Sequence, residues 1–147
     1  MTKSFAISFS LAALVAPSLV FPCTCLGPGP SPLTAYKKSS AVFVGTVIAS
    51  YDSRAGEKTR STIDPIVYTF DVSQVWKGTI ADTLHVVSPR SSPSCGVKFV
   101  IGKRYMVYAV TFKGSLRADS CSRTGLFVLM EKDAAELPAP IWTREGE

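Results

Sequence analysis

The four cysteines, Cys23, Cys25, Cys95 and Cys121, are the residues of this chain best suited to chemistry. Cysteines either ligate a metal ion as thiolates or pair as disulfides, and the redox compartment decides between the two. Four cysteines allow three pairings. A bridge within Cys23-Thr24-Cys25 would close a very strained ring, which leaves two pairings open. Both of them tie the Cys-x-Cys pair to distant parts of the chain.

The other residue types that commonly catalyse reactions form no recognisable pattern. The single histidine, His85, lies in a predicted strand, where a structural or surface role is expected. The carboxylates Asp71, Asp82 and Asp119 are scattered along the sequence. It contains no phosphate-binding loop, dinucleotide glycine motif or nucleophile elbow. We therefore expect no enzymatic activity, no catalytic residues and no cofactor of the chain's own.

Residues 1–22 are typical of a secretory signal peptide. Lys3 supplies a positive charge, residues 5–15 an apolar run, and Ala16-Pro17-Ser18 a helix-breaking end. The run is too short to span a bilayer, and no later stretch approaches the roughly 20 apolar residues of a membrane helix. We expect a secreted, extracellular protein, or a periplasmic or cell-surface one if the source is bacterial. Export favours disulfides over a zinc site.

The composition predicts one folded domain that holds these cysteines in place. The chain has 147 residues, of which 46% are hydrophobic and 18% charged, so a packed core is expected. Ser31 and Pro32 stand where an N-cap and a first helical residue belong, and a short helix should follow to about Ser40. Patterns of β-branched and alternating apolar residues predict short strands at residues 41–50, 67–76, 82–88, 105–112 and 120–123. Together they indicate a small closed or partly open β-barrel.

The sequence also predicts local features of the first two strands and of the carboxy-terminal residues. Gly45, in the middle of the first strand, predicts a β-bulge or a sharp coil of the sheet. Alternation in the second strand places Tyr68, Phe70, Val72 and Trp76 on one face, with Thr69, Asp71 and Ser73 on the solvent face. Residues 127–131 and the acidic, proline-containing tail from Asp133 are expected to be peripheral.

The order of these motifs resembles the amino-terminal domain of the tissue inhibitors of metalloproteinases. The similarity begins with Cys23-Thr24-Cys25, a proline-rich stretch, a short helix and Ala41-Val42-Phe43-Val44-Gly45-Thr46. Further matches are the strand at residues 68–76 ending in Trp-Lys-Gly, the loop Ser94-Cys95-Gly96, the segment 99–108 with Gly102-Lys103, and Ser120-Cys121-Ser122. The resemblance runs from Cys23 to about Arg123.

The resemblance implies an OB-fold-like, five-stranded netrin-like barrel over residues 23–131, with one or two short helices, two disulfides and a peripheral tail at residues 132–147. It implies that Cys23 pairs with Cys95 and Cys25 with Cys121. It also implies a monomeric inhibitor whose Cys23 amine and carbonyl chelate the zinc of a target metalloprotease. The inhibitory ridge implied by the resemblance comprises Cys23, Thr24, Cys25, Leu26, Gly27, Ser92, Pro93 and Ser94. Within it, the Thr24 side chain would enter the primed specificity pocket of the protease.

The sequence departs from the family in three ways. A third bridge is absent, since its first cysteine would fall near Ala35, and the carboxy-terminal domain of the animal members has no counterpart. Chelation requires cleavage between Pro22 and Cys23, although signal peptidase favours small residues before the cut. Cleavage after Ser18 fits that preference better and would leave residues 19–22 in front of the cysteine. Residues 19–23 also depart from a bacterial lipobox, and lipidation would acylate the amine.

Two alternatives to inhibition remain. One is a netrin-like binding module for a protein or an anionic matrix polysaccharide, which fits the net charge of +5. The basic residues it would use are Lys37, Lys38, Arg90, Lys103 and Arg104. The other is a structural domain of the cell envelope without inhibitory activity. Nucleic acid is not an expected partner of an exported protein.

Overall fold

A computed structural model describes residues 23–25, 27–52 and 54–146. The predicted signal peptide, residues 1–22, lies outside the described residues, as do Leu26, Ser53 and Glu147. In the described part of the chain, no helix is long and apolar enough to cross a membrane.

Over the described residues the fold consists of seven strands, two α-helices and one 3-10 turn. In chain order these are α1 (Pro32–Lys38), β1 (Ala41–Asp52), β2 (Pro65–Lys77), β3 (Thr83–Pro89), the 3-10 turn (Ser92–Ser94), β4 (Arg104–Phe112), β5 (Ser115–Arg117), β6 (Gly125–Leu126), α2 (Phe127–Glu136) and β7 (Trp142–Thr143). The first helix begins as predicted, because the Ser31 hydroxyl accepts a hydrogen bond from the Thr34 amide at 3.3 Å and Pro32 occupies the first turn.

Five strands close into a ring in the order β1-β2-β3-β5-β4, with β4 returning to pair with β1. Every neighbouring pair in the ring is antiparallel except β3 and β5, which run parallel. Strands β6 and β7 lie outside the ring, beside β4 and β2. The prediction of a mainly β, closed sheet is confirmed. Closure pairs each of the five strands on both sides.

An aromatic cluster fills the interior of the ring. The Phe99 ring makes edge-to-face contacts with Tyr68, Phe70 and Tyr105 at centroid distances of 4.9, 5.1 and 4.9 Å. Phe43 packs against Phe70 in the same way at 5.5 Å. Such edge-to-face pairs add to the free energy gained by burying the rings. Phe99 belongs to the irregular segment between the 3-10 turn and β4, so this connection is anchored in the core.

A second apolar cluster lies between the outer face of the sheet and the two helices. Strands β1 and β4 are therefore buried on both faces at this point. The buried members of the cluster are Ala35, Val42, Val44, Trp76, Met106, Tyr108 and Leu137.

Gly45 lies at the predicted bulge between β1 and β2. The register pairs Gly45 with Val72 and the residue before it with Gln74, so Ser73 has no cross-strand counterpart. A β-carbon on Gly45 would lie only 2.9 Å from the Asp71 carbonyl oxygen. The close approach of the two backbones here explains why glycine stands at this position.

The bulge reverses the alternation of side chains along β2. Phe70 and Val72 point into the ring, and after the extra residue Val75 does so as well, while Trp76 joins the outer cluster. The prediction that Trp76 shares a face with Phe70 and Val72 is therefore wrong. Ser73, predicted to face solvent, is only 5% exposed. The inserted residue shifts the side chains that follow it to the opposite face, and a second irregularity in the β1–β2 register, between Val75 and Lys77, falls at Trp76.

Residues 120–123 form a turn, so the strand predicted there is wrong. The Asp119 carboxylate accepts a hydrogen bond from the Cys121 amide at 3.0 Å, and the Ser122 hydroxyl donates to the Asp119 carbonyl at 2.7 Å. Arg123 then has a φ of +66°. These local hydrogen bonds compete with strand pairing, which is typical of Asp and Ser. The paired segments nearby are the short β5 and β6.

The carboxy-terminal residues pack against the ring, although they were expected to be peripheral. Asp133 on α2 is buried and accepts a hydrogen bond from Arg123 Nη2 at 2.9 Å. Arg123 Nη1 also donates to the Pro30 carbonyl at 2.6 Å. Leu137 enters the outer cluster, and β7 pairs with β2. Arg123 thereby connects α2 to the proline-rich segment.

Candidate functional site

Two adjacent disulfides tie the Cys-x-Cys pair to distant parts of the chain. Cys23 is bonded to Cys95 and Cys25 to Cys121, with Cα–Cα distances of 5.1 and 5.5 Å. This is the pairing that the sequence resemblance implied, and it is confirmed. The sulfur atoms of Cys23, Cys95 and Cys121 lie within 4.8 Å of one another, so the bridges are adjacent. Because these sulfurs are not thiolates while the bridges are intact, they are not available as metal ligands.

The amino-terminal part of the candidate site consists of residues 23–25 and 27–30, which have no regular secondary structure. Cys23 and Cys25 are partly buried, whereas Thr24 is exposed. Gly27 is also exposed and has a φ of +78°, a conformation that favours glycine. Leu26, a predicted member of the ridge, lies outside the described residues. Disulfides hold both ends of the Cys-Thr-Cys triplet, so Thr24 is presented on a fixed backbone.

The 3-10 turn at Ser92–Ser94 lies next to this segment because Cys95 follows it directly. Ser92 and Pro93 are exposed. The Cys95 amide donates to the Ser92 carbonyl at 3.0 Å, and Cys95 itself has a φ of +61°. A β-carbon on Gly96 would overlap the Pro89 carbonyl, so the chain is tightly folded behind the turn. The structure thus joins both described parts of the predicted ridge through one disulfide.

A third segment, the turn at residues 119–123, supports the other two. The Ser120 amide donates to the Cys95 carbonyl at 2.9 Å, and the Ser120 hydroxyl lies 3.8 Å from the Cys23 sulfur. A cavity of about 350 Å³ separates this turn from the proline-rich segment. Sequence reasoning placed Cys121 in a strand and treated it only as a disulfide partner. The turn-forming residues around it, Asp119, Ser120 and Ser122, were the signal for a turn.

An ion pair connects the loop before the 3-10 turn to the ring. Arg90 donates two hydrogen bonds to the Asp52 carboxylate, one of them from Nη2 to Oδ1 at 2.6 Å. The Arg90 amide also donates to the Asp64 carbonyl at 3.0 Å. The side-chain hydrogen bond from Arg90 lowers the pKa of Asp52 to about 2. Arg90, expected to be a free basic binding residue, is instead part of this anchor.

The remaining basic residues of the binding-module hypothesis have different environments. Lys37 and Lys38 occupy the last turn of α1, and Lys103 is exposed before β4. Arg104 donates to the Ser73 hydroxyl at 2.9 Å, and its guanidinium stacks on the Phe127 ring at 4.8 Å. Arg104 is therefore engaged inside the fold.

The histidine and the scattered carboxylates noted in the sequence form hydrogen bonds and ion pairs with neighbouring residues of the fold. The His85 ring nitrogen Nδ1 lies 3.1 Å from the Thr69 hydroxyl on the neighbouring strand, and His85 is exposed. Asp71 and Asp82, scattered in the sequence, both approach Arg144, at 2.8 and 3.9 Å. The hydrogen bonds from Arg144 hold the pKa of Asp71 below its usual range. Asp119 caps the turn described above.

No protein-family model and no curated protein matches this chain. The functional interpretation of the site therefore depends on its geometry and on the sequence motifs that the structure brings together.

Proposed function

We propose that this protein is a secreted inhibitor of zinc metalloproteases built on an OB-fold-like, netrin-like barrel. The closed five-stranded sheet and the two disulfide pairings support this proposal. The observation that carries it is the convergence of Cys23, the exposed Thr24 and the turn Ser92–Ser94, whose first two residues are exposed, around adjacent disulfides. A surface held in this way is suited to docking as a rigid body.

Inhibition begins with cleavage between Pro22 and Cys23. The free α-amino nitrogen and the carbonyl oxygen of Cys23 then bind the catalytic zinc of the target protease in place of its water. An α-amine has a pKa of about 7.7 to 8, so it must lose its proton on binding. The metal belongs to the protease, and Cys23 contributes only backbone atoms.

The neighbouring residues determine which proteases can bind. Thr24 directs its short side chain into the primed pocket, and Gly27 continues along the cleft. Ser92 and Pro93 form the adjoining contact. Because the disulfides order these segments before binding, little conformational entropy is lost on docking. A small contact surface can therefore bind tightly.

The proposal is tested by inserting one alanine between Pro22 and Cys23. Intact mass of the secreted wild-type protein should begin at Cys23, and it should inhibit members of a panel of zinc metalloproteases. The inserted residue displaces the amine from the metal, so we expect inhibition to fall at least about 1,000-fold, which corresponds to about 4 kcal/mol. The melting temperature should not change, because the insertion leaves both disulfides and the two apolar clusters intact.

The matched control carries one alanine inserted after Gly56, in the exposed loop between β1 and β2, and should inhibit as the wild type does. Equal inhibition by the variant extended before Cys23 would refute the mechanism. A secreted product that begins at Leu19 would refute it as well.

A further inference from the structure

A groove on the outer face of the ring includes none of the residues of the inhibitory ridge. Its volume is about 470 Å³, which is within the range of small-molecule sites. Strands β3 and β4, the β4–β5 hairpin and the loop before β2 contribute its walls. The side chains that matter for its chemistry are Ile63, Pro65, Val87, Phe112, Lys113 and Arg117.

Sheet alternation explains why this groove faces outward. Val86 and Leu116 are paired across β3 and β5 and both contact the interior cluster. Their successors, Val87 and Arg117, are also paired, and they therefore point to the opposite face. This places an apolar side chain and a guanidinium side by side on the outer surface.

Two cations flank one aromatic ring at the edge of the groove. Lys113 Nζ lies 5.5 Å and Arg117 Cζ 5.4 Å from the centroid of Phe112. Within the described ranges, neither cation forms an ion pair, and no acidic side chain lines the groove. Phe112 is nevertheless 49% exposed and Ile63 71% exposed. The groove therefore combines uncompensated positive charge with accessible apolar surface.

We propose that this groove binds a small organic anion, with a carboxylate, sulfate or sulfonate carried on an apolar body. The anionic group would contact Lys113 and Arg117 through charge-assisted hydrogen bonds. The apolar body would lie on Phe112, Ile63 and Val87. A neutral apolar molecule of the same shape would lack the contact with the two cations. An inorganic anion would lack the packing on the apolar side chains. This site is independent of the proposed inhibitory activity.

The test compares two fluorescent probes on the full secreted protein. One is 8-anilinonaphthalene-1-sulfonate and the other is N-phenyl-1-naphthylamine, which has the same ring system without the sulfonate. The sulfonate probe should bind about tenfold more tightly than the neutral probe. The double variant Lys113→Asn and Arg117→Gln should abolish this difference while it retains binding of the neutral probe. Asparagine suits position 113, where φ is +49°.

The matched control is the double variant Lys38→Gln and Lys132→Gln, which removes the same charge at exposed positions outside the groove and should bind both probes as the wild type does. Decanoate should displace the sulfonate probe at concentrations about tenfold lower than decanol. Phe112→Ala should weaken both probes. The melting temperature of each variant establishes that it is folded.

Equal affinity of the wild type for the two probes would overturn the proposal, as would a loss of binding in the control variant equal to that in the groove variant. A concentration-dependent dimer in sedimentation velocity, abolished by Phe112→Ala and accompanied by no probe binding, would assign the groove to a second copy of the chain and would also overturn it.

Discussion

The interior of the ring and the disulfide-held surface are stabilised by different physical forces. In the interior, Phe99 and its aromatic neighbours are almost fully removed from water, and burial of apolar area dominates the free energy. At the surface, Thr24, Ser92 and Pro93 are exposed, and covalent bonds replace packing. The bridges span 72 and 96 residues of sequence, which removes considerable freedom from the unfolded chain. A surface can thus be rigid without having a core of its own.

Because the two regions are held by different forces, stability and the proposed activity of the protein should respond to different substitutions. Changes in the aromatic interior should lower the free energy of unfolding of the whole domain. Changes in the disulfides should lower stability and also release the segment that the proposed function requires. The Asp52–Arg90 ion pair joins the two regions, and its contribution should depend on pH.

The largest effect on stability is expected from Phe99→Ala. This substitution removes three edge-to-face contacts and leaves a cavity in the ring, so the free energy of unfolding should fall by about 3 to 5 kcal/mol. Urea unfolding followed by far-UV circular dichroism measures the change. Phe112→Ala, at the exposed end of β4, is the matched control and should cost far less. Similar losses for the two variants would show that the interior is not the main source of stability.

A somewhat smaller effect is expected when Cys25 and Cys121 are both replaced by alanine. The Cys25–Cys121 bridge links residues 96 positions apart, and its removal should lower the free energy of unfolding by about 2 to 5 kcal/mol. The near-UV circular dichroism of the aromatic interior should remain, because the ring does not depend on the bridge for its packing. Inhibition should weaken, since the amino-terminal segment loses one of its two disulfides. A variant that inhibits as strongly as the wild type would contradict the role assigned to rigid presentation.

The smallest effect concerns the ion pair between Asp52 and Arg90. Because the pKa of Asp52 is lowered from 3.8 to about 2 in the folded protein, the pair stabilises the fold fully above pH 4. That stabilisation is lost as the pH falls through about 2. The difference in unfolding free energy between wild type and Asp52→Asn should therefore be largest near pH 5 and decrease toward pH 2.

Chemical denaturation at a series of pH values measures this trend. Asp82→Asn serves as the control, since the Asp82 side chain is 85% exposed and its ion pair with Arg144 is long, at 3.9 Å. Its effect should be small at every pH. A pH-independent difference for Asp52→Asn would mean that the hydrogen bonds of Asp52, rather than its charge, matter to stability.

Much of the fold was predictable from local sequence signals. The N-cap at Ser31 and four of the five predicted strands have short-range causes, namely capping and alternation, and a glycine within a strand marked the bulge at Gly45. The strand expected at residues 120–123 failed because side-chain hydrogen bonds from Asp119 and Ser122 stabilise a turn instead. Gly45 predicted an irregularity in β1, but the pairing with β2 decides which residue of β2 is left over, so the shift of Trp76 to the outer cluster was not predicted.

The amino-acid sequence by itself determined that Cys23 and Cys25 must pair with distant cysteines, since a bridge between the two would be strained. It also determined most of the segments that form strands. Tertiary structure alone decided that Arg90 and Arg104 are engaged inside the fold, that Asp71 and Asp82 meet at Arg144, and that Lys113 and Arg117 flank Phe112. The physical reason is distance along the chain. Capping and alternation act over a few residues, whereas ring closure brings together side chains whose proximity no local pattern encodes.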